Sequence, residues 1–364
     1  MSPTIRDVAR QAGVAPITVS RVINNSGYVS EETRARVEAA INDLRYVPNT
    51  LARSLRFKKT RVLALVVTDI TNPFWTTVAR GVEDVANAHG FNVILCNTDE
   101  DEAKQNAYLQ VLLQKRVDGF ILVPARSTAD PVLTIQAQNV PVVVLDRQIP
   151  GVTVDVVRSD SEGGAHRLVT YLLALGHRHI AMLSGPETIS TAVDRVAGYR
   201  RALAEAGLPP EAALVFYGAY NIESGHQNAL RALASNPRPT ALFAANNFIA
   251  IGALRALEEN GLHVPEDVAL VCFDDVPLWM QIKPFLTMAS QRAYLMGQRA
   301  TELLLERLAT HAPLQPREIV LPVDIVIRKS SGPLRMSSAP VVAGAHRPDG
   351  AWDQHPRDQL EELV

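Results

Sequence analysis

Ile17, Ser20, Arg21 and Asn24 recur at intervals of three and four residues, the spacing that puts side chains on one face of a helix. On such a face Arg21 can donate two hydrogen bonds to a guanine edge, and Ile17 can meet a thymine methyl. Taken alone, Arg21 reads equally well as a solvated arginine on a small helix. A second set lies further along, each member beside a run of strand-like residues: Phe74 within Asn72-Pro73-Phe74-Trp75, Asp146 before Arg147, Arg195, Tyr220, Asn246, and Asp274 before Asp275. Aspartate, asparagine and arginine hydrogen-bond the hydroxyls of a sugar, while an aromatic ring covers its apolar face. Asn246 also reads as a helix N-cap, and Asp146 and Asp275 as structural acids.

The elements that position the first set are short helices. Thr4-Ile5-Arg6-Asp7 has the form of a capping box, and Gly13 is suited to a left-handed helix exit. Pro16 fits the first position of the next helix, where no amide donor is needed. Small residues at Ala9, Gly13 and Val14 let the two helices cross through a tight turn, which predicts a helix-turn-helix over residues 4–24. A third helix is expected from Ser30 to Leu44, ended by Tyr46-Val47-Pro48. Asn49 to Leu55 is helix-compatible but only about two turns long, too short to be stable without a partner.

The second set belongs to a body in which apolar strands alternate with helices. The strands are expected at Val62–Val67, Asn92–Cys96, Gly119–Val123, Val140–Leu145, Ile180–Leu183, near Val215, Ala241–Ala244 and Val268–Phe273. Near-continuous apolar strands between helices predict parallel sheets covered on both faces, and two such series predict two lobes. Ligands of open parallel sheets bind beyond the carboxyl ends of the strands, so the cleft between the lobes is the expected site.

The chain has 364 residues, 47% hydrophobic and 20% charged, with a net charge of −2. Residues 1–60 carry ten Lys/Arg against five Asp/Glu, a net +5 that leaves −7 on the remainder. A basic head on an acidic body suggests a nucleic-acid-binding module. Two cysteines, Cys96 and Cys272, make neither a disulfide framework nor a metal site. His166, His177 and His179 are expected to cap or face solvent. No apolar run reaches membrane-spanning length and Met1–Asp7 lacks the form of an export signal, so a cytoplasmic protein is expected. No dinucleotide, P-loop or nucleophile-elbow motif supports an α/β enzyme, and no cofactor is expected.

TIRDVARQAGVAPITVSRVIN from Thr4, then SEETRARVEAAINDLRYVPN and LARSL, closely resemble the LacI/GalR family of transcriptional regulators, and the likeness extends to about residue 328. The resemblance implies a small all-α helix-turn-helix head (1–47), a hinge helix and linker (48–60), and an α/β two-lobed, periplasmic-binding-protein-like effector and dimerisation domain (61–329). The chain would cross between lobes near 157, 287 and 320, and residues 330–364 would form a disordered tail. DNA contacts are implied at Thr4, Ala15, Pro16, Ile17, Ser20, Arg21, Asn24, Tyr28, Ser30, Asn49, Ala52 and Leu55, with Leu55 as a minor-groove wedge. Effector contacts are implied at Phe74, Asp146, Thr191, Arg195, Tyr220, Asn246 and Asp274.

Five positions depart from the family pattern, two of them Pro16 and Ile17, which replace a polar pair often seen there. Ala15 replaces the usual Ser or Thr cap, and Val193 and Ala293 stand where relatives carry an arginine and an aromatic. The expected function is a repressor that binds pseudo-palindromic double-stranded operator DNA as a homodimer. A sugar or sugar acid between the lobes would control it. The alternatives are a solute-binding protein and a purine-responsive repressor.

Overall fold

The structure, a computed structural model, describes residues 3–47, 60–209, 213–274, 284–310 and 315–332. It separates into a head ending at Thr60 and a body beginning at Arg61. The head contains α1 (Ile5–Ala12), α2 (Pro16–Ile23) and α3 (Glu31–Asp43). Asp7 Oδ2 accepts from both the backbone amide and the hydroxyl of Thr4, at 2.9 and 2.6 Å. Gly13 leaves α1 at φ 66°, and the Val14 amide returns to Ala9 O at 3.0 Å, satisfying carbonyls the helix end would orphan. Val8, Ala12, Val19, Val22 and Val37 form the small core.

The body holds two six-stranded sheets. The first contains β1 (Val62–Val67), β2 (Asn92–Asn97), β3 (Gly119–Leu122), β4 (Val142–Leu145), β5 (Asp155–Ser159) and β11 (Glu318–Leu321), in the order 11-5-4-3-1-2. All its pairings are parallel. Alternate residues of β1 serve opposite faces. Leu63, Leu65 and Val67 pack under α4 (Pro73–Ala88) and α11 (Ala293–Ala309), while Ala64 and Val66 pack under α5 (Glu102–Gln114) and α6 (Asp130–Gln136). Burial of each such side chain contributes about 1.5–3 kcal/mol for the larger aliphatics. This two-sided burial explains why the strand reads as a continuous apolar run. α4 and α11 touch through Gly81 and Gly297: a Cβ on Gly297 would lie 2.1 Å from Val78 O.

The second sheet repeats the plan with β6 (Ile180–Ser184), β7 (Leu214–Tyr217), β8 (Ala241–Ala244), β9 (Ala269–Phe273), β10 (Thr287–Ser290) and β12 (Asp324–Val326), in the order 12-10-9-8-6-7. Only the β10–β12 pair is antiparallel among the described pairings. Helices α7 (Ser161–Ala174), α8 (Ser190–Glu205), α9 (Ile222–Leu233) and α10 (Asn247–Glu259) cover it around one continuous core.

The chain passes between the sheets at 160, at 291–292 and at 322–323. The crossings expected near 157, 287 and 320 fall a few residues before these points, within β5, β10 and β11. Strand β5 and everything from β10 onward were not among the elements read from the sequence. Residue 330 does not begin a disordered tail. Ser330 and Ser331 sit in a buried 3₁₀ turn (Lys329–Ser331). The Ser330 hydroxyl donates to Leu270 O at 2.5 Å and accepts from the Thr287 amide at 2.8 Å. Ser331 Oγ lies 2.6 Å from Thr287 Oγ1. These small hydroxyls tolerate burial because each is hydrogen-bonded. Residues 333–364 lie outside the described set.

His177 is likewise not a surface cap but is 2% exposed, between Thr240 Oγ1 at 2.9 Å and Gly332 O at 3.4 Å. Burial pushes its pKa below the ordinary 6.5, against the pull of the Gly332 carbonyl. A depressed folded-state pKa means that the neutral ring's contribution is present above 6.5 and is lost as pH falls below it. Urea titrations should therefore show stability falling on acidification from about pH 6.5, and His177→Gln should flatten that limb. A wild-type profile parallel to the variant's would refute the assignment.

Candidate functional site

In the head, α2 has Ala15 at its N-cap, whose side chain makes no cap hydrogen bond, and Pro16 in the first turn. Ile17 is 56% exposed, and Arg21, Pro16 and Ala15 are exposed beside it. Ser20 and Asn24, expected on the same open face, are only half-exposed. The Asn24 amide folds back to donate to Ser20 O at 2.7 Å and Ser20 Oγ at 3.2 Å. Tyr28 is 90% exposed. Ser30 caps α3, accepting from the Thr33 amide at 3.4 Å. Thr4 is held in its capping box, so its hydroxyl already donates to Asp7. Asn49, Ala52 and Leu55 lie outside the described residues.

The body carries a cavity of about 230 Å³ at the carboxyl ends of its strands. Phe74, Asp146, Thr191, Arg195, Tyr220, Asn246 and Asp274 all line it, so the structure brings together the seven residues singled out in the sequence. Equivalent places in the two sheets supply them. Asp146 leaves β4 at φ 64° and Asp274 leaves β9 at φ 63°. Asn246 caps α10, accepting from the Ile249 amide at 2.8 Å, and lines the cavity as well. Tyr220 packs over Gly185, where a Cβ would fall 2.2 Å from the ring. Its hydroxyl lies 3.2 Å from Thr191 Oγ1. Phe74 stacks edge-on against Trp75 at 4.7 Å.

Sequence reasoning gave no contact role to Thr68, Asp69, Asp99, Glu100, Asn221 and Gln291, which also line the cavity. Asp99 and Glu100 follow β2 in left-handed conformations, φ 54° and 59°. Their signal was the polar run after Asn97. Gln291 follows β10, a strand the sequence reading did not identify, and donates to Asp274 Oδ1 and Oδ2 at 2.8 and 3.0 Å.

Two arginines dominate the walls, 2% and 3% exposed. Arg147 donates to Pro124 O at 2.5 Å, Ala125 O at 2.9 Å and Glu100 Oε1 at 2.5 Å. Arg195 donates to Ala245 O at 2.6 Å and lies 4.0 Å over the Phe273 ring. The Nε of each arginine, Asp146 Oδ1 and Gln291 Oε1 are buried without a hydrogen-bond partner. A buried polar group left unpaired costs about 1–3 kcal/mol. Burial pushes the Asp146 carboxyl above its ordinary value, opposed by Arg195 and Arg147. It also pushes Asp194 and Tyr220 up.

The lobes are joined around the cavity by several uncharged pairs and by Arg126 Nη1 donating to Thr188 Oγ1 at 3.1 Å. Asn72 and Asn247 exchange reciprocal amide hydrogen bonds, both 3.0 Å. Ser127 Oγ accepts from the Ser190 amide at 3.0 Å, and Ser190 Oγ accepts from the Gln148 amide at 2.8 Å.

Because the folded-state pKa of Asp146 is raised, its contribution to stability is present below the ordinary 3.8 and lost as pH rises through the raised value. Asp146→Asn should therefore raise the Tm of the ligand-free protein at pH 7, with the gain vanishing below about pH 4. A lower Tm at neutral pH would contradict the assignment.

Two family descriptions match the chain: bacterial regulatory proteins of the lacI family over residues 4–49, and periplasmic binding proteins and sugar binding domain of LacI family over residues 60–329. The HTH-type transcriptional regulator DegA of Bacillus subtilis (strain 168) is 36% identical over 341 residues, covering 92% of this chain and 99% of DegA. The ribose operon repressor of Escherichia coli (strain K12) is 37% identical over 331 residues, covering 90% of this chain and 99% of the repressor. Among solved structures, the lac repressor dimer bound to operator and the anti-inducer ONPF aligns with a TM-score of 0.79 at 32% identity, covering 91% of this chain and all of that one. With a helix-turn-helix head and a two-lobed sugar-binding-type body in one polypeptide, the chain belongs to the LacI family of DNA-binding transcriptional regulators.

Proposed function

We propose that this protein is a homodimeric transcriptional repressor, cytoplasmic and without catalytic activity. Its affinity for a pseudo-palindromic operator is set by a sugar or sugar acid bound between the lobes of the body. The observation that carries the ligand reading is the mixed lining of the cavity, in which Asp146, Arg147, Arg195, Asn246 and Gln291 supply both donors and acceptors. A hydroxyl both donates and accepts, so neighbouring hydroxyls on one ring satisfy such a mixed set. Phe74, Trp75 and Tyr220 supply aromatic surface beside it.

Coupling to DNA requires that ligand bind one arrangement of the lobes better than another, since an effector shifts an equilibrium only by that difference. The pairs that span the lobes, Asn72 with Asn247 and Ser190 with Ser127 and Gln148, are contacts such a rearrangement would trade. Two heads on a dimer would read two half-sites, with Ile17 and Arg21 at base edges and Leu55 as the minor-groove wedge.

Footprinting on DNA from the source genome should reveal protection of palindromic sites, released or strengthened by a sugar. Protection with no palindrome preference would sink the repressor reading. On the operator so found, Arg21→Ala should weaken binding by about 1–3 kcal/mol and relax specificity at one position of each half-site. A uniform loss across all sequences would instead make Arg21 a phosphate contact.

A further inference from the structure

Resting on the ligand-controlled repressor reading above, we infer that Arg61 is a positioning residue that passes rearrangement at the cavity to the chain leading from the head. The body begins at Arg61, so the covalent path from the head enters there. Its amide donates to Asp118 Oδ2 at 2.9 Å, just ahead of β3. Its Nη1 donates at 3.3 Å to the carbonyl of His89, the C-cap residue of α4. Its guanidinium carbon lies 5.0 Å from the centroid of the Phe91 ring. The Arg61 carbonyl accepts from the Asn92 amide at 2.9 Å, so the entry to β1 is held by both neighbouring strands.

Arg61 adopts φ 57°, a left-handed conformation that a residue other than glycine keeps only where its surroundings hold it. A cation at a helix C-terminus is stabilised by the last carbonyls and by the helix dipole. The guanidinium is therefore a cap for α4 supplied from outside that helix. An arginine within about 6 Å of a ring centroid is also attracted to the electron-rich face. The residue is exposed, so each contact is individually weak. Together they fix the angle at which the chain enters the body.

Helix α4 connects this anchor to the cavity. Its N-cap, Asn72, lines the cavity and exchanges hydrogen bonds with Asn247 of the other lobe. Phe74 and Trp75, in its first turn, line the cavity too. The helix has 16 residues and so spans about 24 Å from that end to the His89 end. It is braced along its length. Its interior glycine, Gly81, is seated against α11, where a Cβ would fall 2.2 Å from Tyr294 O, and Asp84 accepts from the Tyr294 hydroxyl at 2.8 Å. A displacement of the Asn72 end is therefore delivered at His89, and Arg61 carries it to the residue that precedes β1. Such a route is established by energetic coupling between its two ends, not by spatial continuity.

The test is a double-mutant cycle in the full-length protein, read as affinity for the palindromic fragment recovered by footprinting. Asn247→Ala, which frees the cavity end of α4 from the other lobe, should change that affinity about tenfold. In an Arg61→Ala background the same substitution should change it less than about twofold. Asn72→Ser, which keeps a cap for α4, frees the same end by a second route and should give both results. Arg61→Lys, which keeps a cation for the His89 carbonyl, should restore most of the response. A change on Asn247→Ala that is equal with either residue at position 61 makes Arg61 a structural or phosphate contact and overturns the inference. Operator affinity unmoved by both Asn247→Ala and Asn72→Ser overturns it as well, and either outcome leaves the repressor reading standing. Protection of no palindrome overturns the repressor reading and this inference with it.

Discussion

Parallel pairing sends the strands of each sheet out of the same edge, and the cavity follows from that constraint. Strands β1, β2, β4, β7, β8, β9 and β10 each end within two residues of a cavity-lining residue. Helices that must return the chain start there too, so their caps fall at the same edge. Asn72, Asn221 and Asn246 are N-caps and wall residues at once. Two sheets with the order 2-1-3-4-5 face each other across this edge, so each half contributes an aspartate from the end of its fourth strand, Asp146 and Asp274.

Concentrating polar groups in one buried place has an energetic consequence. Asp146, Arg147 and Arg195 are all less than a tenth exposed, and their hydrogen-bonding capacity is only partly used. The sheets beneath them are apolar on both faces and supply the stability that lets this unfilled chemistry persist.

Legibility in the sequence tracked the range of the determining contacts. Thr4 with Asp7, Gly13 and Pro16 act within one turn of their own helix, and their roles were readable from local pattern. Most of the cleft residues were readable because they lie beside an apolar run that could be recognised as a strand, whereas Thr191, inside the helix Ser190–Glu205, was reached only through the family resemblance. Gln291 was hidden because β10 has only four residues, and β11 and β12 mix exposed with buried positions, so no apolar run announces them. His177 and Ser330 were misjudged for a different reason. Their partners, Gly332 and Leu270, lie 155 and 60 residues away, and composition alone makes a serine-rich end look unstructured. Asn24 sits where helical periodicity predicts exposure, but its amide bonds its own helix.

The reciprocal Asn72–Asn247 pair joins the lobes without formal charge. Amides do not titrate in the physiological range and are little affected by counter-ion screening, unlike the charge pairs that many proteins place between moving parts. The head is the opposite case, since contacts between arginines and phosphates weaken steeply as salt rises. Ionic strength therefore acts most strongly on the head and leaves the Asn72–Asn247 pair of the body almost untouched.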